Sequence, residues 1–353
     1  MEHHEVTTTD GYVLTLTRIL PMAQRANGTL PVLLVPGLMG TSAGFLLAGP
    51  NNGLAYVLAD RGYDVWLANL RGNRYSRRHT SLSVNSEAYW DFSMHEAGYY
   101  DLPAMIDRIL LVTGVRRLGF VGYSQGATVF FIMAASRPEY NEKIARMYAL
   151  CPAVYLDRVR SPVVRWLSEH VDLIKDILDA LGWWQALPYS RVRNVVFSAL
   201  CPVRERRNFC IRLLEQFGGP NPEGTDLLAQ YILGGHTPSG TSTKQIQHIL
   251  QLIRYDRFQQ FAYARKEQNL AHYGAEQPPA YNLSVATAPV AIFYGMNDWV
   301  VHPTNIARLA AELPNLVSVT LLEDRNFNHN DFLFAKRVRA LLYDKLLIDL
   351  DQL

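Results

Sequence analysis

Cysteine is scarce in this chain. Three in 353 residues, Cys151, Cys201 and Cys210, are too few for a disulfide scaffold to carry the fold; Cys201 and Cys210 could form one bridge and leave Cys151 free. An excess of one charge sign is missing as well. The 34 basic and 32 acidic residues leave a formal net charge of +2, so nothing argues for nucleic acid as a partner. No apolar run approaches the roughly 18 residues of a membrane span, and no internal repeat or low-complexity tract occurs. No secretory leader opens the chain. Met1-Glu2-His3-His4 runs straight into a strand pattern, as expected of a cytosolic protein or of the mature or truncated form of a secreted one. Metal and phosphate motifs are absent too. The ten histidines are scattered, no His/Cys pair has ligand spacing, and the Gly37 to Gly40 turn lacks the Lys-Ser/Thr end of a phosphate loop. No cofactor and no metal are expected.

What is present is a globular composition, 49% hydrophobic and 19% charged, long enough for one large domain with an insertion or for two domains. Glu5 to Leu20 alternate polar and apolar around Asp10-Gly11, a hairpin signal. Pro31–Val35 and 63–68 are apolar runs that suit strands buried on both faces. Helical spacing separates them at 54–61. A helix over 101–111 precedes a strand that ends near Gly122, and a helix follows through 127–133. Further strands are expected at 144–150, 288–294 and 317–322, with a helix over 304–313 and a last Leu- and Lys-rich helix after the 326–332 loop. Strands alternating with helices predict an α/β fold with a mostly parallel, doubly wound sheet. Between 155 and 281 the rhythm breaks into a mainly helical stretch without a convincing buried strand. The expected organisation is a core of residues 1–154 and 282–353 with a helical cap and lid over 155–281. Arg71, Arg74, Arg77 and Arg78 read as a solvated loop with local ion pairs, with contact to an anionic lipid the minority reading. Asn27-Gly28-Thr29 and Asn282-Leu283-Ser284 are acceptor triplets for N-glycosylation, at Asn27 and Asn282.

The chemistry is concentrated in Gly122-Tyr123-Ser124-Gln125-Gly126. A strand before and a helix after give this G-x-S-x-G run the setting of a nucleophile elbow. Serine is a poor nucleophile alone and needs a base, and the base needs a group that fixes its tautomer. In α/β hydrolases these follow in the order Ser, acid, His. Asp298, just past an expected strand, and His329, in the loop after the next one, satisfy that order, with Asp324 as the alternative acid. His302 would share a loop with the acid, and the remaining histidines precede it. The Gln125 N–H is one expected oxyanion donor, and the Leu38 N–H, after the first central strand, is the other.

With these residues in place the chain resembles the acid lipase family, the group of gastric and lysosomal acid lipases. The segments that carry the resemblance span nearly the whole length. They include Glu5 to Tyr12, Leu54 to Trp66, Arg71-Gly72-Asn73, Ser76-Arg77-Arg78-His79, Tyr100 to Ala104, Pro238 to Ser242 and Asn328-His329-Asn330-Asp331-Phe332. The resemblance implies an α/β-hydrolase fold with a helical cap and mobile lid. It implies hydrolysis of triacylglycerols or cholesteryl esters at a lipid–water interface. It maps nucleophile, acid and base onto Ser124, Asp298 and His329, the oxyanion donors onto Leu38 and Gln125, and a cap disulfide onto Cys201 and Cys210. It also implies a secreted or lysosomal glycoprotein. Two positions depart from the family pattern. Pro36 stands where His-Gly-Leu usually begins, and Tyr123 where the elbow usually has His; the Leu38 donor survives both.

Two other functions are compatible with the residues. A short-chain carboxylesterase would show no rise in activity above the solubility limit of a long-chain ester. A non-catalytic lipid-binding protein on the same fold would hold lipid without turnover, which the complete Ser, Asp and His set argues against.

Overall fold

The computed structural model describes residues 1–23, 30–190, 192, 195–196, 199 and 209–353. Within them the alternating and apolar runs form strands β1 (Glu2–Thr7), β2 (Tyr12–Ile19), β3 (Pro31–Val35), β4 (Asp64–Asn69), β5 (Arg78–His79), β6 (Leu118–Tyr123), β7 (Ile144–Leu150), β8 (Gln185–Ala186), β9 (Thr241–Ser242), β10 (Val290–Tyr294) and β11 (Leu316–Leu321). All but β8 and β9 join one sheet, in the order β1-β2-β4-β3-β6-β7-β10-β11, with β5 on β2. From β4 through β11 every neighbour pair is parallel; β1, β2 and β5 pair antiparallel. Every residue of β3 and β4 is buried, as their apolar stretches 31–35 and 65–68 require when helices cover both faces. Edge strand β11 alternates half-buried and exposed residues instead.

Helices Leu54–Asp60, Gln125–Ser136 and Pro303–Glu312 pack against β4, β6 and β10 respectively. Gln125–Ser136 is buried from Gln125 to Ala134, consistent with its run of Val, Phe, Ile and Met. The consequence for function is positional. The carboxyl ends of β3, β6 and β10 and the loop after β11 deliver Leu38, Ser124, Asp298 and His329 to one rim of the sheet, where ligands of doubly wound folds bind.

The described residues of 155–281 add no strand to that sheet. They form helices Pro162–Glu169, Val171–Ala180, Phe209–Gly218, Leu227–Gly234, Thr243–Tyr255 and Lys266–Tyr273. A strand pair also occurs here, against expectation: β8 and β9 form a two-residue antiparallel ribbon, too short for any period to reveal. The final expected helix is also interrupted. Its first turn, Asp331–Phe334, stops at Ala335, whose extended backbone (φ −71°, ψ 141°) bridges to Thr225; helix resumes with the wider turns of Arg339–Tyr343 and continues through Asp344–Leu350. Cys201 and Asn27 lie outside the described residues. Cys210 sits in helix Phe209–Gly218, Cys151 is a buried free thiol, and Asn282 is exposed.

Arg71 departs from the solvated loop that its sequence suggests. Arg71 is buried, only 2% exposed. Its guanidinium binds Asp10 at 2.7 and 3.0 Å and Asp101 at 2.8 Å, and lies 4.0 Å from the centre of the Tyr12 ring. Burial works against its charge, but Asp101 and Asp10 outweigh burial and raise its pKa above the ordinary value. Arg74 lies over Tyr75 and Tyr189, Arg77 reaches Gln185, and Arg78 pairs with Glu5 at the surface.

One buried histidine sets an acid limit on stability. His248 is fully buried and its Nε2 meets the Gln259 carbonyl at 2.8 Å. Burial pulls its pKa down to about 4, against the opposing pull of that carbonyl. Between that value and the ordinary 6.5, the unfolded chain binds a proton that the folded one does not. Stability is therefore full above about pH 6.5 and falls as the pH drops towards 4, by up to roughly 3 kcal/mol. His248→Gln keeps a donor for the carbonyl and removes the titration. Its melting temperature is expected to vary less than wild type between pH 6.5 and 4 in a thermal denaturation series; an unchanged pH slope would contradict this.

Candidate active site

Strand β6 hands the chain directly to a sharp turn. Ser124 takes φ 53° and ψ −116°, a conformation that costs a non-glycine residue about 1–3 kcal/mol. The turn closes because its flanks are glycines. A Cβ on Gly122 would stand 2.6 Å from the Ala127 nitrogen, and one on Gly126 would overlap the Val35 carbonyl. Strand, turn and helix are thereby pressed together, which lifts the Ser124 side chain off the backbone.

The three residues singled out for catalysis meet there. His329 Nε2 lies 2.9 Å from Ser124 Oγ, and His329 Nδ1 lies 2.8 Å from Asp298 Oδ2. The other Asp298 oxygen accepts the Val300 and Val301 N–H groups, each at 2.8 Å, so the carboxylate cannot rotate away. With Oδ2 accepting the Nδ1 proton, Nε2 is left to accept from the serine hydroxyl. All three side chains are buried. The rival groups are engaged elsewhere. Asp324 binds the Asn326 N–H and Asn221, and His302 caps helix Pro303–Glu312. Leu38 follows β3 in the loop facing the elbow, and Gln125 begins the helix after it. Among the described residues neither N–H has a backbone acceptor, the state of a donor kept for a ligand.

Ser124 and His329 open into a cavity of about 1000 Å³. Its floor includes Leu38 and Tyr123, and residues of the 155–281 stretch such as Leu167, Trp183, Leu233 and Ile253 form much of its wall. Few polar side chains reach this space, so it suits an apolar ligand with one reactive polar group.

Several contributors were invisible in the residue pattern. The Tyr123 hydroxyl donates to the His329 carbonyl at 3.0 Å, and its ring lies 5.5 Å from the imidazole; the position that departs from the acid lipase pattern therefore holds His329. Cys151 follows β7 behind the site, where burial, reinforced by Asp298, pushes its thiol pKa well above the usual value. Among the described residues, Cys151, Asp298 and His329 are the side chains whose ligand atoms come within 4.8 Å of one another, but the last two are already bonded together. Asn328 and Asp331 form a reciprocal turn around His329: Asn328 Oδ1 accepts the Asn330 and Asp331 N–H groups, and Asp331 Oδ2 accepts the Asn328 N–H. The density of Asn and Asp in Asn328-His329-Asn330-Asp331 is the one sequence signal for such a turn.

Known proteins share this architecture. A family model described as "alpha/beta hydrolase fold" matches residues 31–336, and one described as "Partial alpha/beta-hydrolase lipase region" matches residues 1–49. Lipase 1 of Drosophila melanogaster is 41% identical over 351 residues, covering 98% of this chain and 76% of that protein. Gastric triacylglycerol lipase of Rattus norvegicus is 34% identical over 351 residues, covering 98% and 87%. The lysosomal acid lipase/cholesteryl ester hydrolase of the same species is 32% identical over 349 residues, covering 97% and 86%. Likeness of this extent, on a fold with this site, makes the chain a member of the acid lipase family of α/β hydrolases, and an ester hydrolase.

Proposed function

We propose that the protein is a lipase that hydrolyses triacylglycerols and cholesteryl esters through an acyl-enzyme on Ser124. The observation that carries the reading is the hydrogen-bonded line Ser124–His329–Asp298 at the floor of a large apolar cavity. Ser124 Oγ attacks the ester carbonyl carbon while His329 Nε2 takes its proton. The carbonyl oxygen, now an oxyanion, is held by the Leu38 and Gln125 N–H groups; each such donor is worth about a hundredfold to a thousandfold in turnover. Collapse breaks the bond to the alcohol, which leaves with the proton from His329. Water, deprotonated by the same imidazole, then attacks the acyl-serine and releases the fatty acid. Asp298 holds the imidazole in the required tautomer throughout.

In this reading residues 155–281 are a cap with a lid over a core of residues 1–154 and 282–353. What supports it is the wall those helices give the cavity and the apolar surface they show to solvent. Trp166, Leu173, Ile177, Leu181 and Trp183 are each at least half exposed, an arrangement suited to a lipid–water interface. Among the described residues no helix is long and apolar enough to cross a membrane. The relatives' titles, gastric and lysosomal, support a secreted or lysosomal setting, in which Cys201 and Cys210 are bridged and Asn27 and Asn282 carry glycans.

A hydrolysis panel tests this reading. Emulsified triolein and cholesteryl oleate are expected to be turned over, with activity rising above the solubility limit. Trp166→Ser is expected to lower emulsion activity at least tenfold, since withdrawing one large apolar side chain from water is worth about 1.5–3 kcal/mol. Nitrophenyl butyrate activity of the same variant is expected to stay near wild type. Turnover confined to the soluble ester would make the protein a short-chain carboxylesterase, and lipid binding without turnover a carrier.

A further inference from the structure

One short piece of the helical stretch does not behave like a lid. Residues 218–226, after helix Phe209–Gly218, run between the loop that carries Asp298 and the loop that carries His329. The Gly218 carbonyl accepts two N–H groups, from Trp299 at 3.2 Å and from His329 itself at 3.1 Å. The Gly219 carbonyl accepts Asn328 Nδ2 at 2.7 Å, and the Pro220 carbonyl accepts Asn297 Nδ2 at 2.6 Å. Consecutive carbonyls thus serve the acid loop and the base loop together. So close an approach requires glycine: Gly219 has φ +103°, and a Cβ there would overlap the Asn297 carbonyl and stand 2.8 Å from Trp299 Cδ1.

The far end of the same segment holds the base loop by side chains. Asn221 Nδ2 donates to Asp331 Oδ2 at 2.7 Å, and the Thr225 hydroxyl meets Asp331 Oδ1 at 2.6 Å. Asn221 and Thr225 are 2% and 3% exposed and Asp331 is fully buried. Asn221 Oδ1 closes the segment on itself by accepting the Gly224 N–H at 3.0 Å. Beyond it, the Lys336 N–H binds the Gly224 carbonyl and the Asp226 N–H binds the Phe334 carbonyl, at 2.8 and 2.7 Å. Asp331 in turn shapes the Asn328 turn in which His329 stands. A chain of hydrogen bonds therefore leads from Asn221 and Thr225 through Asp331 to the backbone turn that carries His329.

We infer that residues 218–226 are a fixed strap of the catalytic rim and that Asn221 and Thr225 are positioning residues for His329. This rests on the triad reading proposed above. The physical reason is tolerance. His329 must keep two bonds at 2.8 and 2.9 Å to residues on different strands, and an ångström of misplacement is worth up to about a hundredfold in rate. A lid that opens must hinge outside the strap, because motion of Gly218 would carry the His329 N–H with it. Asp331 sits in the chain as a buried carboxyl that receives three donors, from Asn328, Asn221 and Thr225.

The test compares Thr225→Val, which removes the hydroxyl at constant shape, with Thr225→Ser, which keeps it. Initial rates on nitrophenyl butyrate are read beside melting curves, with Ser124→Ala as control. Thr225→Val is expected to lower kcat about tenfold, a fraction of the hundredfold available from misplacement, with KM within about twofold of wild type. Thr225→Ser is expected to restore kcat. If Thr225→Val does not fold, Asn221→Ser, which deletes the Nδ2 donor, reads the same kcat loss. A lowered melting temperature with kcat unchanged, or a raised KM at full kcat, would overturn the strap while leaving the triad intact. Hydrolysis surviving in Ser124→Ala would overturn the triad reading, and the strap with it.

Discussion

Ser124→Ala is expected to lower ester turnover on the order of a millionfold, the scale seen when a serine nucleophile is removed from a preorganised triad. The fold is expected to survive. Alanine meets the same φ of 53° that serine already accepts, and the Ser124 N–H keeps its bond to the Leu150 carbonyl. His329→Ala is expected to match that loss rather than add to it, because the two groups act on one proton. Asp298→Asn is expected to cost about ten-thousandfold, since an amide presents the wrong partner to Nδ1. Initial rates on nitrophenyl butyrate and a melting curve for each variant separate lost chemistry from lost structure. Near-wild-type turnover in Ser124→Ala would mean that another group attacks the ester.

The second large effect is on stability. Arg71→Ala is expected to cost about 3–5 kcal/mol at neutral pH, the usual result of removing one partner from a buried ion pair. Two carboxylates lose their common cation, and Asp101 is fully buried. The sign of the pH dependence follows. Burial already raises the Asp101 pKa against the pull of Arg71; without Arg71 it rises further, so the folded form takes up a proton there as the pH falls. The deficit is therefore largest near pH 7 and shrinks towards pH 5. Urea denaturation at the two pH values measures it. A loss below about 1 kcal/mol would be that of a surface pair and would contradict the buried geometry.

The sheet strands, the sharp turn at Ser124 and the three residues that converge there were legible because each rests on a local pattern. Apolar runs gave β3, β4, β6, β7 and β10, and Gly122 to Gly126 gave the turn. What escaped is long-range. Arg71 looked like loop decoration because its partners lie 30 and 61 residues away, and spacing within the loop says nothing of them. The Tyr123 bond to the His329 carbonyl spans 206 residues. The 218–226 strap was hidden for another reason. Its decisive groups are backbone carbonyls, which carry no residue identity, and its side chains read as ordinary turn residues. Family resemblance supplied roles for the triad but no account of how the loops are held.

The most direct measurement of the central claim is the site of covalent capture. Wild-type protein treated with a fluorophosphonate and mapped by peptide mass spectrometry is expected to carry one adduct, on Ser124, with hydrolysis lost in proportion to labelling. An unlabelled Ser124 in a protein that still turns over ester, or inactivation tracking an adduct elsewhere, would contradict it.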